Sequence, residues 1–87
     1  MANTKSALKR IRQAEAARAR NASIRSRVRT AIKKVRTAVD ASDAAKAEEL
    51  LRAATKTIDQ AAAKGVLNAR AASRKISRLA KAVSASR

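Results

Sequence analysis

The chain has 87 residues, of which 22 are Lys or Arg and 6 are Asp or Glu, a formal net charge of +16. It contains no Cys, no His and no aromatic residue, which excludes disulfides, thiol and imidazole chemistry, the ordinary zinc sites and any ring on which a nucleic-acid base stacks. Of its 40 hydrophobic residues 24 are Ala and one is Met1, leaving 15 Leu, Ile and Val, enough for one small, marginally stable domain over residues 1–87 whose charge needs a polyanionic partner.

The first predicted element is one long helix over residues 3–39, without a Gly or a Pro to break it. Twelve cations stand there against Glu15 alone, a local balance of +11. Asn3 or Thr4 is placed to cap it, with Ser6 as an alternative. Ile24, Val28, Ala31, Ile32, Val35 and Val39 recur at i, i+3, i+4 spacing and form one apolar stripe, so the second half has a core face. Extended backwards, the stripe meets Arg10, while Leu8 and Ile11 rotate away from it. The first half therefore has little to pack on. A helix of this length is roughly 50 Å long, more than so small a protein needs to span its own core, which predicts an arm that leaves the bundle and lies along the partner.

Asp40, Ala41, Ser42 and Asp43 mark a short helix-to-helix turn, because Asp and Ser side chains bond back to local backbone. A second helix follows over residues 43–64, with Ala47, Leu50, Leu51, Ala54, Ile58 and Ala61 on one face and Glu48, Glu49, Arg52, Lys56 and Asp59 on the other. Residues 38–63 hold three cations and five anions, so this helix is expected to face away from phosphates. Gly65, the only glycine, is the stop signal. Asn68 is the N-cap of a third helix whose core face is Ala69, Ala72, Ile76, Leu79 and Val83; Arg70, Arg74, Arg78 and Lys81 lie opposite, with Lys75 at the flank. Residues 64–87 carry seven cations and no anion. The fold class is thus all-α, a three-helix antiparallel bundle with a long N-terminal helix extending beyond the bundle. In this order the first and third helices run parallel and bring their basic faces to one composite surface.

The chemistry of such a surface is phosphate neutralisation with counterion release, which gives affinity without reading sequence. Lys5, Lys9, Arg12, Arg20, Arg27, Lys33 and Lys34 lie on one flank and the back of the long helix, Arg18, Arg29 and Arg36 on the other flank, and Arg10 and Arg25 complete its set. Arg70, Arg74, Lys75 and Arg78 are the candidates on the third helix. Ser23, Ser26 and Thr30 fall among these cations, opposite the stripe, where short hydroxyls can bond phosphate or ribose oxygens. Cations on several sides imply contact with nucleic acid on more than one side.

Five of the six carboxylates crowd into the middle segment at spacings that capping and helix pairing explain, so neither a metal site nor an acid/base pair is expected. The chain is read as no enzyme, with no cofactor and no small-molecule substrate. Without a long apolar run or the apolar core of a signal peptide, a cytosolic protein is expected. A basic amphipathic helix can also lie on a membrane or bind calmodulin, but those roles want Trp, Phe or a Leu-rich face where this arm has Ala. Duplex DNA is the stronger rival, since phosphate neutralisation serves it too; the residues alone prefer RNA and leave DNA compaction open.

The opening run Met1-Ala2-Asn3-Thr4-Lys5-Ser6-Ala7-Leu8-Lys9-Arg10 closely resembles the start of the bacterial small-subunit ribosomal protein S20 family. Arg12-Gln13, Glu15, Arg18, Asn21, Ser23, Arg25-Ser26, Arg29-Thr30 and Ile32-Lys33-Lys34-Val35 are similar to that family's first helix. Ala62-Ala63-Lys64-Gly65 with Ala71, Ala72, Arg74, Lys75, Ser77, Arg78 and Leu79 resemble its third. Two departures stand out: Asn68-Ala69-Arg70 replaces a common His-Lys-Asn run, and Ser42 stands in the first turn where a Gly is usual. The resemblance implies a three-helix bundle with an extended first helix. It further implies direct binding to small-subunit ribosomal RNA, in its five-prime domain and against the base of the long penultimate helix. An early role in assembly follows from it, in the cytoplasm and on the ribosome, with other small-subunit ribosomal proteins as possible neighbours.

Overall fold

The computed structural model describes residues 4–86. Three helices follow in order, α1 (Lys5–Asp40), α2 (Ala44–Ala63) and α3 (Ala69–Ala85), and the described residues contain no strand. Each helix starts on a capping side chain. The Thr4 hydroxyl accepts from the Ala7 N–H at 3.2 Å, the Asp43 carboxylate from the Lys46 N–H at 3.2 Å, and the Asn68 amide oxygen from the Arg70 N–H at 2.8 Å. Each satisfies one of the backbone donors that a helix start leaves open. Thr4 rather than Ser6 caps α1; the alternative cap Asn3 lies outside the described residues.

Both turns end their helix with the same hydrogen-bond pair. Ser42 N–H donates to the Val39 carbonyl at 3.0 Å and Asp43 N–H to the Ala38 carbonyl at 3.1 Å; Gly65 N–H donates to Ala62 and Val66 N–H to Ala61, both at 3.0 Å. This is the six-to-one and five-to-two pattern of a Schellman motif, which needs a left-handed residue just past the cap. Gly65 supplies it at φ 77° and Ser42 at φ 59°. The left-handed conformation is open to Gly at no steric cost, whereas in Ser the Cβ crowds the following carbonyl.

The core joins Ile24, Val28, Val35 and Ala38 of α1, Ala47, Ala54, Ile58 and Ala61 of α2, and Ala72, Leu79 and Val83 of α3. Ala47, Ala54 and Ala61 are seven apart and fully buried. Small side chains at that repeat let the backbones approach closely, while Ile58 and Val35, also fully buried, fill the spaces between. Leu50, Leu51, Ile32, Val39 and Ile76 pack against this centre half-buried. Three placements differ from the periodicity. Ala69, expected on the packed face, is exposed, because the first residue of α3 lies at the end of the bundle. Ala38 is buried beside the expected Val39, and Val66 with Leu67 closes the bottom of the core from the second turn.

From Thr4 to Ser23 no residue is buried. The 36 residues of α1 therefore divide into a packed half and an arm that projects from the bundle, giving extents of 63 × 22 × 14 Å. No helix among the described residues is long and apolar enough to cross a membrane.

Candidate nucleic-acid interface

Every cation singled out in the sequence lies on the surface. Lys5, Lys9, Arg10, Arg12, Arg18, Arg20, Arg25, Arg27, Arg29, Lys33, Lys34, Arg36, Arg70, Arg74 and Arg78 are exposed, and Lys75 is half-buried. The reason is the packed stripe of α1: once Ile24, Val28 and Val35 face the other helices, the remaining circumference is left to solvent, and Lys and Arg fill it. On the arm no side of the helix is covered, so its cations point all round. Arg20 is held by its neighbour, its Nε and Nη2 donating to Asn21 Oδ1 at 3.4 and 3.2 Å.

Where the helices meet, two grooves collect charge. Between α1 and α3, Ile32 and Arg36 face Lys75, Arg78, Leu79 and Ala82 across a narrow cleft of about 160 Å³. This is the composite surface expected of two parallel basic helices, and the partial burial of Lys75 follows from its place on the flank of α3. Arg70 and Arg74 stand outside that cleft, on earlier turns of the exposed α3 face.

The groove between α1 and α2 is wider, about 570 Å³ near the first turn. Thr30, Lys33, Lys34 and Thr37 form one wall and Asp43, Lys46 and Leu50 the other. It continues past Ser26 and Arg27, opposite Ala53, Thr57 and Gln60. The α2 wall is small and neutral beyond Lys46, and Glu48, Glu49 and Asp59 line neither groove. The second helix keeps those three acids out of both grooves, and it also contributes a cation. Lys46 joins Lys33 and Lys34 because an antiparallel hairpin lays the first turn of α2 against the last turns of α1. Charge counted along the sequence hides this residue inside an acidic segment; the register of the hairpin reveals it.

The hydroxyls sort themselves by their partners. Thr37 Oγ1 donates back to the Lys33 carbonyl at 2.9 Å, as Thr55 and Thr57 do to Leu51 and Ala53 at 2.9 and 3.0 Å. Ser23, Ser26 and Thr30 make no such bond among the described residues, and all three are exposed. Their hydroxyls stand free for an outside acceptor. Where Asn68-Ala69-Arg70 departs from the family pattern, the Asn68 side chain is occupied by capping α3, and Ala69 offers no polar atom.

The family model described as "Ribosomal protein S20" matches residues 2–84. The chain is similar to a small ribosomal subunit protein bS20 of Geobacter metallireducens, 60% identical over 83 residues and covering 95% of each chain. It is also similar to proteins of that name from Anaeromyxobacter dehalogenans, 57% identical over 82 residues (94% of this chain and 89% of the relative), and Desulfovibrio desulfuricans, 54% identical over 83 residues (95% and 93%).

Proposed function

The chain belongs to the ribosomal protein S20 family, and from that premise we propose that it is a structural component of the small ribosomal subunit which binds small-subunit ribosomal RNA directly. It acts in the cytoplasm as part of the ribosome, as one RNA-binding domain spanning residues 1–87. Its relatives are named as ribosomal proteins and not as enzymes, in keeping with a chain that has no Cys and no His.

The observation that carries the reading is the distribution of cations on two sides of α1. Arg36 with Lys75 and Arg78 forms one basic edge; Arg27, Lys33 and Lys34 with Lys46 form another. Two such edges, joined by a rigid helix, fit a place where RNA strands from different helices converge. A straight DNA duplex engages one edge and leaves the other in solvent. Ser23, Ser26 and Thr30 add short donors for phosphate or ribose oxygens at close approach. With the phosphates neutralised on both edges, RNA segments that repel one another are held together, which is how such a protein stabilises RNA folding and subunit assembly. The comparisons give no support to DNA compaction.

Salt dependence does not separate the two, since every phosphate contacted contributes a log-log slope of about −0.7 to −0.9 on either nucleic acid. Competition does. At fixed physiological ionic strength, folded small-subunit RNA is expected to outcompete duplex DNA of equal phosphate content by at least about tenfold, roughly 1.4 kcal/mol. Equal affinity would favour the DNA reading.

A further inference from the structure

The arm carries a second pattern besides its cations. Leu8 and Ile11, 47% and 55% exposed, are the exposed large hydrophobic residues among those described. They stand three apart on α1, and Glu15, the arm's lone anion, follows four residues later on the same face. At about 100° per residue the three fall within roughly 60° of the helix circumference. Ala19 and Ala22 continue this strip with small side chains, and Ser26 ends it. Cations border it on both sides, Lys5 and Arg12 on one and Arg18 and Arg25 on the other. The strip faces away from the packed stripe, so the bundle does not cover it.

We infer that the Leu8, Ile11 and Glu15 strip is a reader of the A-form RNA minor groove, an inference that rests on the RNA-binding function proposed above. Two rows of cations separated by a low, mostly uncharged strip match two rows of phosphates separated by a groove. The A-form minor groove is wide and shallow, whereas the A-form major groove is deep and narrow. A helix about 10–12 Å across lies on the first and enters neither the second nor the roughly 6 Å minor groove of B-form DNA. Inside the RNA groove the sugar faces present C–H surface to Leu8 and Ile11. The polar groups on offer there include the donors that Glu15 needs, the ribose 2′-hydroxyl and the exocyclic amino group of guanine. An ionised carboxylate only accepts hydrogen bonds, so Glu15 among phosphates alone would be repelled. Set between the phosphate rows, facing donors, it discriminates. This assigns selectivity for RNA to three residues outside the cation set.

The test uses the full chain, in which the strip contributes nothing to the core, so that its substitution leaves the bundle folded. Binding of the unsubstituted chain, Leu8→Ala/Ile11→Ala, Glu15→Gln and Lys9→Ala is titrated on folded small-subunit RNA and on duplex DNA across a salt series. The double Ala variant is expected to lose about tenfold on RNA, the scale of partly burying two aliphatic side chains, with its salt slope and its DNA affinity unchanged. Lys9→Ala instead lowers the slope by about 0.7 to 0.9 on RNA. Glu15→Gln is expected to weaken RNA binding although it removes a negative charge, and to strengthen DNA binding. Unchanged RNA affinity in the double variant, or a Glu15→Gln variant that binds both more tightly, overturns the inference. If the unsubstituted chain shows no preference for RNA, the proposed function falls with it; if the preference is undiminished in both strip variants, this inference falls alone.

Discussion

The two halves of α1 carry the same charge and do different things. Residues 5–23 hold six cations and one anion, and residues 24–40 also hold six cations and one anion. The second half is packed through Ile24, Val28, Val35 and Ala38, and the first half has no buried residue. Charge density therefore does not decide where a basic helix stays with its own fold and where it leaves it. The spacing of a few aliphatic side chains does: Leu8 and Ile11 fall off the stripe, and nothing among the described residues packs over them. On the packed half a cation has a fixed edge to work from. On the arm it has only the helix, and the partner must supply the rest.

The largest effect expected from breaking this contrast is on stability. Ile58→Ala removes a fully buried side chain from the bundle and should cost about 2–5 kcal/mol. Arg10→Ala on the arm should change stability by less than about 0.5 kcal/mol. Urea unfolding followed by circular dichroism measures both, and an Arg10→Ala cost close to that of Ile58→Ala would mean that the arm is part of the cooperative unit.

Next come the edges of the packed half. Charge reversal at Arg27 and Lys34 together should weaken RNA binding by at least about tenfold, 1.4 kcal/mol, and reversal at Lys56, on the exposed side of α2, far less. Lys46→Glu sharpens the comparison. It belongs to α2 by sequence but to the α1 groove by structure, and its loss in a filter-binding titration should resemble that of Lys34 rather than that of Lys56. Equal losses at all of these positions would remove the case for a composite surface.

Smaller again are the turns that separate packed from unpacked chain. Gly65 sits at φ 77° with open space where a Cβ would stand, so Gly65→Ala has no clash to relieve and should lose about 1–2 kcal/mol through the left-handed backbone alone. Ser42→Gly should gain up to about 1 kcal/mol for the mirror-image reason. Thermal melts of the two variants shifting in the same direction would refute this account of the turns.

The smallest free energy belongs to the arm itself. Helices without tertiary packing are marginal in water, so the amides of residues 5–20 should exchange with an opening free energy near zero in the free protein at low salt, and become protected on RNA. Hydrogen exchange read by NMR decides it, and full protection of Lys5 to Arg20 without RNA would contradict the division of α1.

Much of this architecture is legible in the residues themselves. The stripe from Ile24 to Val39, the caps at Thr4, Asp43 and Asn68, and the stop at Gly65 are local signals, each contained within a few helical turns. What escapes periodicity depends on how the helices meet. Ala38 is buried because the hairpin crosses near it, Val66 and Leu67 because the second turn folds under the core, and Lys46 lines a groove because of register. Ser42 is hidden for a different reason. A left-handed backbone is signalled by Gly or Asn, and a Ser there is visible only as a departure from the family's usual Gly.

The two tight turns have a kinetic consequence. Each joins antiparallel neighbours through a handful of residues, so most packing partners in the bundle are close along the chain. Topologies of such low contact order fold in about microseconds to milliseconds. Formation of the bundle is then over long before large RNA helices settle against each other. If the proposed function holds, the rate at which this protein is locked into place is set by the RNA that receives its arm.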